Sequence, residues 1–181
     1  MNMLIPPEKE PSPYQMRGNP VPYLEEALIC EFAKLLAKEF KISKKTPKQM
    51  TKLLDHDLVI WSAKNRGIPI NIDPIEDIDW TNKWRGLSKA CYYPEDQTIQ
   101  MSEGLYMEAM RGEHDGIRVL VHELGHYFLC HDKSPHHFAL TDQHGLCKEI
   151  DAEWQADIFA LYFCKFMGID YDSFGKQMRL F

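Results

Sequence analysis

Two histidines four residues apart, with a glutamate after the first, are the groups in this chain best able to do chemistry: His122-Glu123-Leu124-Gly125-His126. On a helix, that spacing puts both imidazoles on one face about one turn apart, where they can reach the same metal ion. Glu123 lies beside that face and can take a proton from a metal-activated water, whose pKa zinc lowers toward about 7. Gly125 removes a side chain where a neighbouring element could come close. Five such residues also recur by chance, so the context decides. Ile117, Val119, Leu120, Val121, Leu124, Phe128 and Leu129 make the surrounding segment an apolar helix. In such a helix His and Glu are costly to bury without a partner or a metal. The plain alternative is a pair of hydrogen-bonded histidines.

A catalytic zinc site takes three protein ligands and keeps one position open. Downstream, Glu153-Trp154-Gln155-Ala156-Asp157 carries two carboxylates four apart on one helical face. Glu153 is the expected third ligand. Asp157, one turn on, is expected to accept the N–H of a ligating histidine and fix its tautomer. Glu149, nearer the helix start, competes with Glu153. A peptidase also needs a group that stabilises the oxyanion. The candidates are Tyr92, Tyr93, His131 and His144, with His144 and Tyr93 ranked first. Cys130 and Cys147 could be thiol ligands or redox residues, but the ligand count closes without them and they read as ordinary buried cysteines.

The elements that must position these groups follow from periodicity and punctuation. Residues 23–40 repeat Leu24, Leu28, Phe32, Leu35 and Leu36 at helical spacing after Pro22. Thr46-Pro47 opens a second helix that runs to Arg66 and ends at Gly67. Residues 68–72 alternate and are β-branched, a short strand whose Pro69 favours an edge or an early position. Residues 73–85, with Trp80 and Trp84, read as a loop or short helical turn. Residues 87–93 and 97–101 form a hairpin around Pro94-Glu95-Asp96. Ser102 caps a short helix to Met110. A long helix follows over 115–130, then a loop over 133–146 and a last helix over 147–167. The order predicts an α+β fold with a small antiparallel sheet. It divides into an extended arm, residues 1–22, and one domain, residues 23–181.

Several of these segments resemble the ImmA/IrrE family of metallopeptidases. They are Gly86-Leu-Ser-Lys-Ala-Cys-Tyr-Tyr93, Gln97-Thr-Ile-Gln-Met101, His122-Glu-Leu-Gly-His126 and Glu153-Trp-Gln-Ala-Asp-Ile-Phe-Ala160. The similarity covers residues 47–167. It implies a zincin-like, gluzincin-type core with the sheet packed on the active-site helix and on a C-terminal ligand helix. His122, His126 and Glu153 would hold zinc and Glu123 would be the base. The hairpin edge would hold an extended substrate by strand addition. Family members often cut DNA-binding repressor proteins, so the implied partner is a repressor-like protein substrate. The chain departs from the family in Leu161-Tyr-Phe-Cys-Lys-Phe-Met-Gly168, and in the loop from His136 to Cys147.

Composition bounds the rest. The 181 residues suffice for one domain with a core, and a net charge of −6 argues against direct nucleic-acid binding. Seven lysines (34, 38, 41, 44, 45, 48 and 52) with only Glu39 among them read as a solvated face or an anionic docking patch. Five cysteines, no CxxC and no signal peptide point to a cytoplasmic protein. No window reaches the roughly 18 apolar residues of a membrane span. The preferred reading is a zinc endopeptidase of narrow specificity. Its rivals are a zinc-containing regulator that binds a partner without cutting it and a zinc hydrolase acting on a non-peptide bond.

Overall fold

The computed structural model describes residues 14–85, 88–131 and 147–170. Its elements, in order, are α1 (Glu26–Glu39), a 3-10 turn (Thr46–Gln49), α2 (Met50–Lys52), a π-helical segment (Leu53–Leu58) and α3 (Val59–Arg66). Then come β1 (Asn71–Ile75), α4 (Asp77–Trp84), β2 (Ala90–Tyr93), β3 (Thr98–Ser102) and α5 (Glu103–Arg111). The last are α6 (His114–Phe128), a 3-10 turn (Lys148–Ile150) and α7 (Ala152–Phe166). The fold is mixed α+β, mostly helical, around one three-stranded sheet. Among the described residues no helix is long and apolar enough to cross a membrane.

The sheet has the order β1-β3-β2. The β2–β3 hairpin is antiparallel as expected, and its turn closes through Gln97 N–H to Pro94 O, with Gln97 left-handed at φ 52°. The sheet as a whole is not antiparallel, because β1 pairs with β3 in parallel, Ile72 opposite Ile99. Parallel neighbours need a crossover. The polar, Trp-containing segment supplies part of it as α4, which packs against β3. The strand also starts later than its β-branched residues predict. Ile70 is buried and its N–H donates to Ser62 Oγ, which anchors the lead-in to the end of α3. It is Pro74, not Pro69, that lies inside β1, and β1 is an edge strand, where a missing N–H is tolerated.

Helix α1 turns a different face inward from the one its leucines suggest. Ile29, Ala33, Leu36 and Ala37 are buried, while Leu28 and Leu35 stay exposed. The two alanines let α1 approach α7 closely, and α7 is its main neighbour. All seven lysines from 34 to 52 are exposed, as a solvated face requires. The second predicted helix exists, but a π-helical stretch interrupts it where Leu53, Leu54 and Leu58 enter the core. The last helix begins at Ala152 rather than Cys147, and a 3-10 turn precedes it.

Helix α6 is the centre of the molecule. Of its fifteen residues twelve are buried, from Gly116 through Gly125 and then Tyr127 and Phe128. It packs on β2, α5 and α7. Tyr127 meets Tyr92 of β2 edge-on at 5.8 Å, and Phe128 joins Phe40, Trp61 and Phe159 in one aromatic cluster. Gly125 makes the α6–α7 approach possible. A Cβ there would stand 3.1 Å from Ala156 Cα and O and 3.3 Å from the Phe159 ring. The glycine of the motif therefore sets how near the Glu153 helix can come to the two histidines.

Candidate metal centre

The two long helices bring His122, His126 and Glu153 together; one ligand atom from each lies within 4.8 Å of the others. His122 Nε2 is 3.2 Å from His126 Nε2 and 3.2 Å from Glu153 Oε2, and His126 Nε2 is 3.5 Å from Glu153 Oε1. Three donors around a tetrahedral ion at about 2.0–2.1 Å would be separated by about 3.3 Å. The His–His separation is close to that value and each histidine has a Glu153 oxygen nearby, a different oxygen for each, so the trio could hold a metal ion. The histidines are deeply placed, whereas the Glu153 side chain is 39% exposed and opens the group toward solvent. Glu123 is buried on α6 next to His122. Glu149, the competing ligand, is outside this group.

Asp157 lies beside His122. Its Oδ1 lies 2.9 Å from His122 Nδ1, so a proton on Nδ1 is held there and Nε2 faces the trio. Burial opposes charge on His122, but the hydrogen bonds it donates to Asp157 and Glu153 outweigh it and hold its pKa up at about 10. Burial likewise works against the Glu153 carboxylate, yet its bonds to His122 win and bring it down to about 2. His126 goes the other way: burial and the neighbouring charge of His122 keep it well below 6.5.

These directions fix the proton balance of metal binding. A ligand nitrogen must be bare to bind a metal. At neutral pH only His122 still carries the extra proton, since Glu153 is ionised and His126 neutral. Metal uptake should therefore release one proton. Affinity should rise about tenfold per pH unit from about pH 6 to 9 and level off above the His122 pKa. Calorimetric titration with zinc in buffers of different ionisation enthalpy measures this. Release of no proton at neutral pH would contradict the assignment.

The other sequence candidates are placed differently. Tyr93 points away from α6, since it alternates with Tyr92, and its hydroxyl is 3.4 Å from Lys83 Nζ of α4. Tyr92 packs on Tyr127 in the core. His131 has both ring nitrogens engaged inside the protein, with His126 and Gln155. Neither flanking cysteine is the buried residue expected: Cys130 is exposed and close to Arg66, and Cys147 is half-buried just before the 3-10 turn. His136, His137 and His144 lie outside the described residues.

The sequence reading missed what surrounds Glu153. Residues 14–22 lie along the start of α7. Pro20 forms an antiparallel bridge with Asp151, Val21 N–H donates to Ile150 O, and Ala152 N–H donates to Asn19 O. Gly18 sits against Glu153: a Cβ there would be 2.7 Å from Glu153 Cγ and 2.9 Å from its backbone N. Arg17 pairs with Asp157 Oδ2 at 2.8 Å, so the carboxylate that orients His122 is itself held from the arm. Asp151, fully buried, ties these parts together. It caps α7 through Glu153 N–H and also accepts from Arg17 N–H, Gly18 N–H and the Tyr14 hydroxyl. Burial and the Asp151 carboxylate push the Tyr14 hydroxyl up to about 12, so it remains a donor.

Such a residue has no periodic signature, since all but one of its partners are far away in sequence. Asp151→Ala should cost at least about 2 kcal/mol, from the lost cap and from several donors left without an acceptor. Denaturant unfolding measures that cost. Limited proteolysis should find the arm newly accessible, and a variant with unchanged stability and an uncut arm would refute this role.

Comparison with family models, with curated proteins and with solved structures finds no match for this chain.

Proposed function

We propose that this chain is a zinc endopeptidase of narrow specificity that cuts a regulatory protein, with a DNA-binding repressor as the favoured substrate class. One observation carries the reading: two histidines and a carboxylate from two helices converge so that one ligand atom of each lies within 4.8 Å of the others, with a buried glutamate directly beside the first histidine. Nitrogen and oxygen donors at these separations suit zinc, and a set of three leaves one position open, as catalytic sites do. Bound there, zinc would supply Lewis-acid polarisation of a peptide carbonyl and lower the pKa of the attacking water.

The protein's own groups account for the rest. Glu123 accepts the proton of the attacking water and returns it to the leaving nitrogen. Asp157 keeps the His122 proton on Nδ1. Strand β2 is at the sheet edge and packs on α6, so an extended substrate could pair along it beside the centre. This arrangement supports the zincin-like layout that the resemblance implies, and a cytoplasmic setting fits the free cysteines.

The test is a proteomic comparison of cells making the wild type or Glu123→Gln, together with zinc analysis of both purified proteins. A regulatory protein that disappears only with the wild type, with zinc in both, supports the reading. Absence of zinc from the wild type overturns it. So does equal biological activity of wild type and Glu123→Gln when His122→Ala is inactive, because the chain is then a zinc-containing regulator that binds without cutting.

A further inference from the structure

His126 is oriented by a chain of hydrogen bonds that begins at the backbone of the arm. Gln155 on α7 is buried, and its amide nitrogen donates to two carbonyl oxygens, Pro22 O at 2.9 Å and Glu149 O at 2.7 Å. Carbonyls only accept, so the amide cannot be turned round and its Oε1 is fixed as an acceptor. That Oε1 is 3.0 Å from His131 Nε2. His131 Nε2 must therefore carry the proton, which leaves Nδ1 of the neutral ring bare. His131 Nδ1 lies 2.9 Å from His126 Nδ1. His126 must then be the donor, with its proton on Nδ1 and a bare Nε2 facing His122 Nε2 and Glu153.

The backbone is built for this return. Cys130 is left-handed at φ 58°, His131 N–H donates to His126 O and Cys130 N–H to Tyr127 O. This is the paired bonding of a Schellman ending, which folds the chain back over the last turn of α6. It brings a side chain five residues downstream against the second histidine of the motif.

We propose that Gln155 and His131 form a relay that holds the His126 proton on Nδ1 and so presents Nε2 to a bound metal ion. Both are positioning residues. They are the counterpart, on His126, of Asp157 on His122, but with a neutral acceptor instead of a carboxylate. The proposal rests on the reading of the trio as a metal centre. It adds that the arm, through Pro22 O, helps to set the ligand geometry.

Long-range ¹H–¹⁵N spectra of the histidine rings in the full-length, zinc-loaded protein read the tautomers directly. The expected result is a proton on Nε2 of His131 and on Nδ1 of His126. Zinc affinity, measured by chelator competition, should fall about 10- to 100-fold in His131→Leu. His131→Asn, whose Oδ1 can take the place of Nδ1, should recover part of the loss. A proton on His131 Nδ1 in the wild type overturns the relay even if the variants fail to fold. Wild-type affinity in a folded His131→Leu also overturns it and leaves the metal centre standing. Failure of the wild type to bind zinc overturns the centre, and the relay with it.

Discussion

Glu123→Gln should lower peptide hydrolysis by about 10²- to 10⁴-fold while zinc stoichiometry stays at the wild-type level. The substitution is nearly isosteric. Glu123 is buried beside the ligand pair, so a glutamine occupies the same space and the helix is not disturbed. What is lost is a carboxylate able to take a proton from the attacking water and give it to the leaving nitrogen. The three groups that could hold the metal are His122, His126 and Glu153, and none is altered. The measurement is a single-turnover assay on a substrate found by the proteomic comparison, with metal content determined on the same preparation. A parallel loss of activity and zinc would assign Glu123 a role in building the site instead of in proton transfer. Unchanged turnover would remove it from the chemistry altogether.

How far the sequence revealed this site depends on whether a residue's partners are local. His122, Glu123 and His126 were legible because an i, i+4 pair on an apolar helix leaves few ways to satisfy its polar atoms. Asp157 was legible for the same reason, since its spacing from Glu153 put both on one face, and the bond to His122 follows. Gly125 could be read as a gap, although only the structure shows that Ala156 of α7 fills it. By contrast, the parallel pairing of β1 with β3 was not legible. It depends on where α4 carries the chain, and the periodicity of the strands contains nothing about their neighbours. The inward face of α1 was misread because Leu28 and Leu35 are more apolar than the alanines that do the packing. Close helix approach rewards small residues over large ones here.

The same distinction explains the shell around the centre. Asp151, Arg17 and Gly18 act mainly through contacts with segments more than a hundred residues away in sequence, and Gln155 combines one such contact, to Pro22 O, with nearer ones to Glu149 O and His131. His131 was visible as a histidine near the motif, and for that reason it was weighed as an oxyanion donor. Its actual partners are Gln155 and His126, and the left-handed turn at Cys130 that brings it there is made by a residue that rarely adopts that conformation. The arm thus reaches both histidines of the trio: Arg17 touches the Asp157 that lies beside His122, and Pro22 O anchors the Gln155 that contacts His131 and through it His126.

Glu153→Ala should weaken zinc binding by more than the about 100-fold that outer hydrogen-bond partners carry, and leave the purified protein with less than one ion per chain. Glu153 is the only anionic member of the trio, and its carboxyl, brought down to about 2, is ionised at any working pH. Its removal leaves two neutral imidazole nitrogens and two open positions, a set too poor to hold a divalent ion against chelators. The fold should survive, because the side chain is 39% exposed and the helix cap is made by its backbone N–H, which alanine keeps. Circular dichroism of the metal-free proteins should therefore superimpose, and the defect should appear only in the metal titration. Glu153→Asp separates charge from reach: it keeps the carboxylate but draws it back by one methylene, and should fall between wild type and alanine. Stoichiometric zinc in Glu153→Ala would move the third ligand elsewhere, and Glu149, one turn earlier in the chain, would be the first residue to replace.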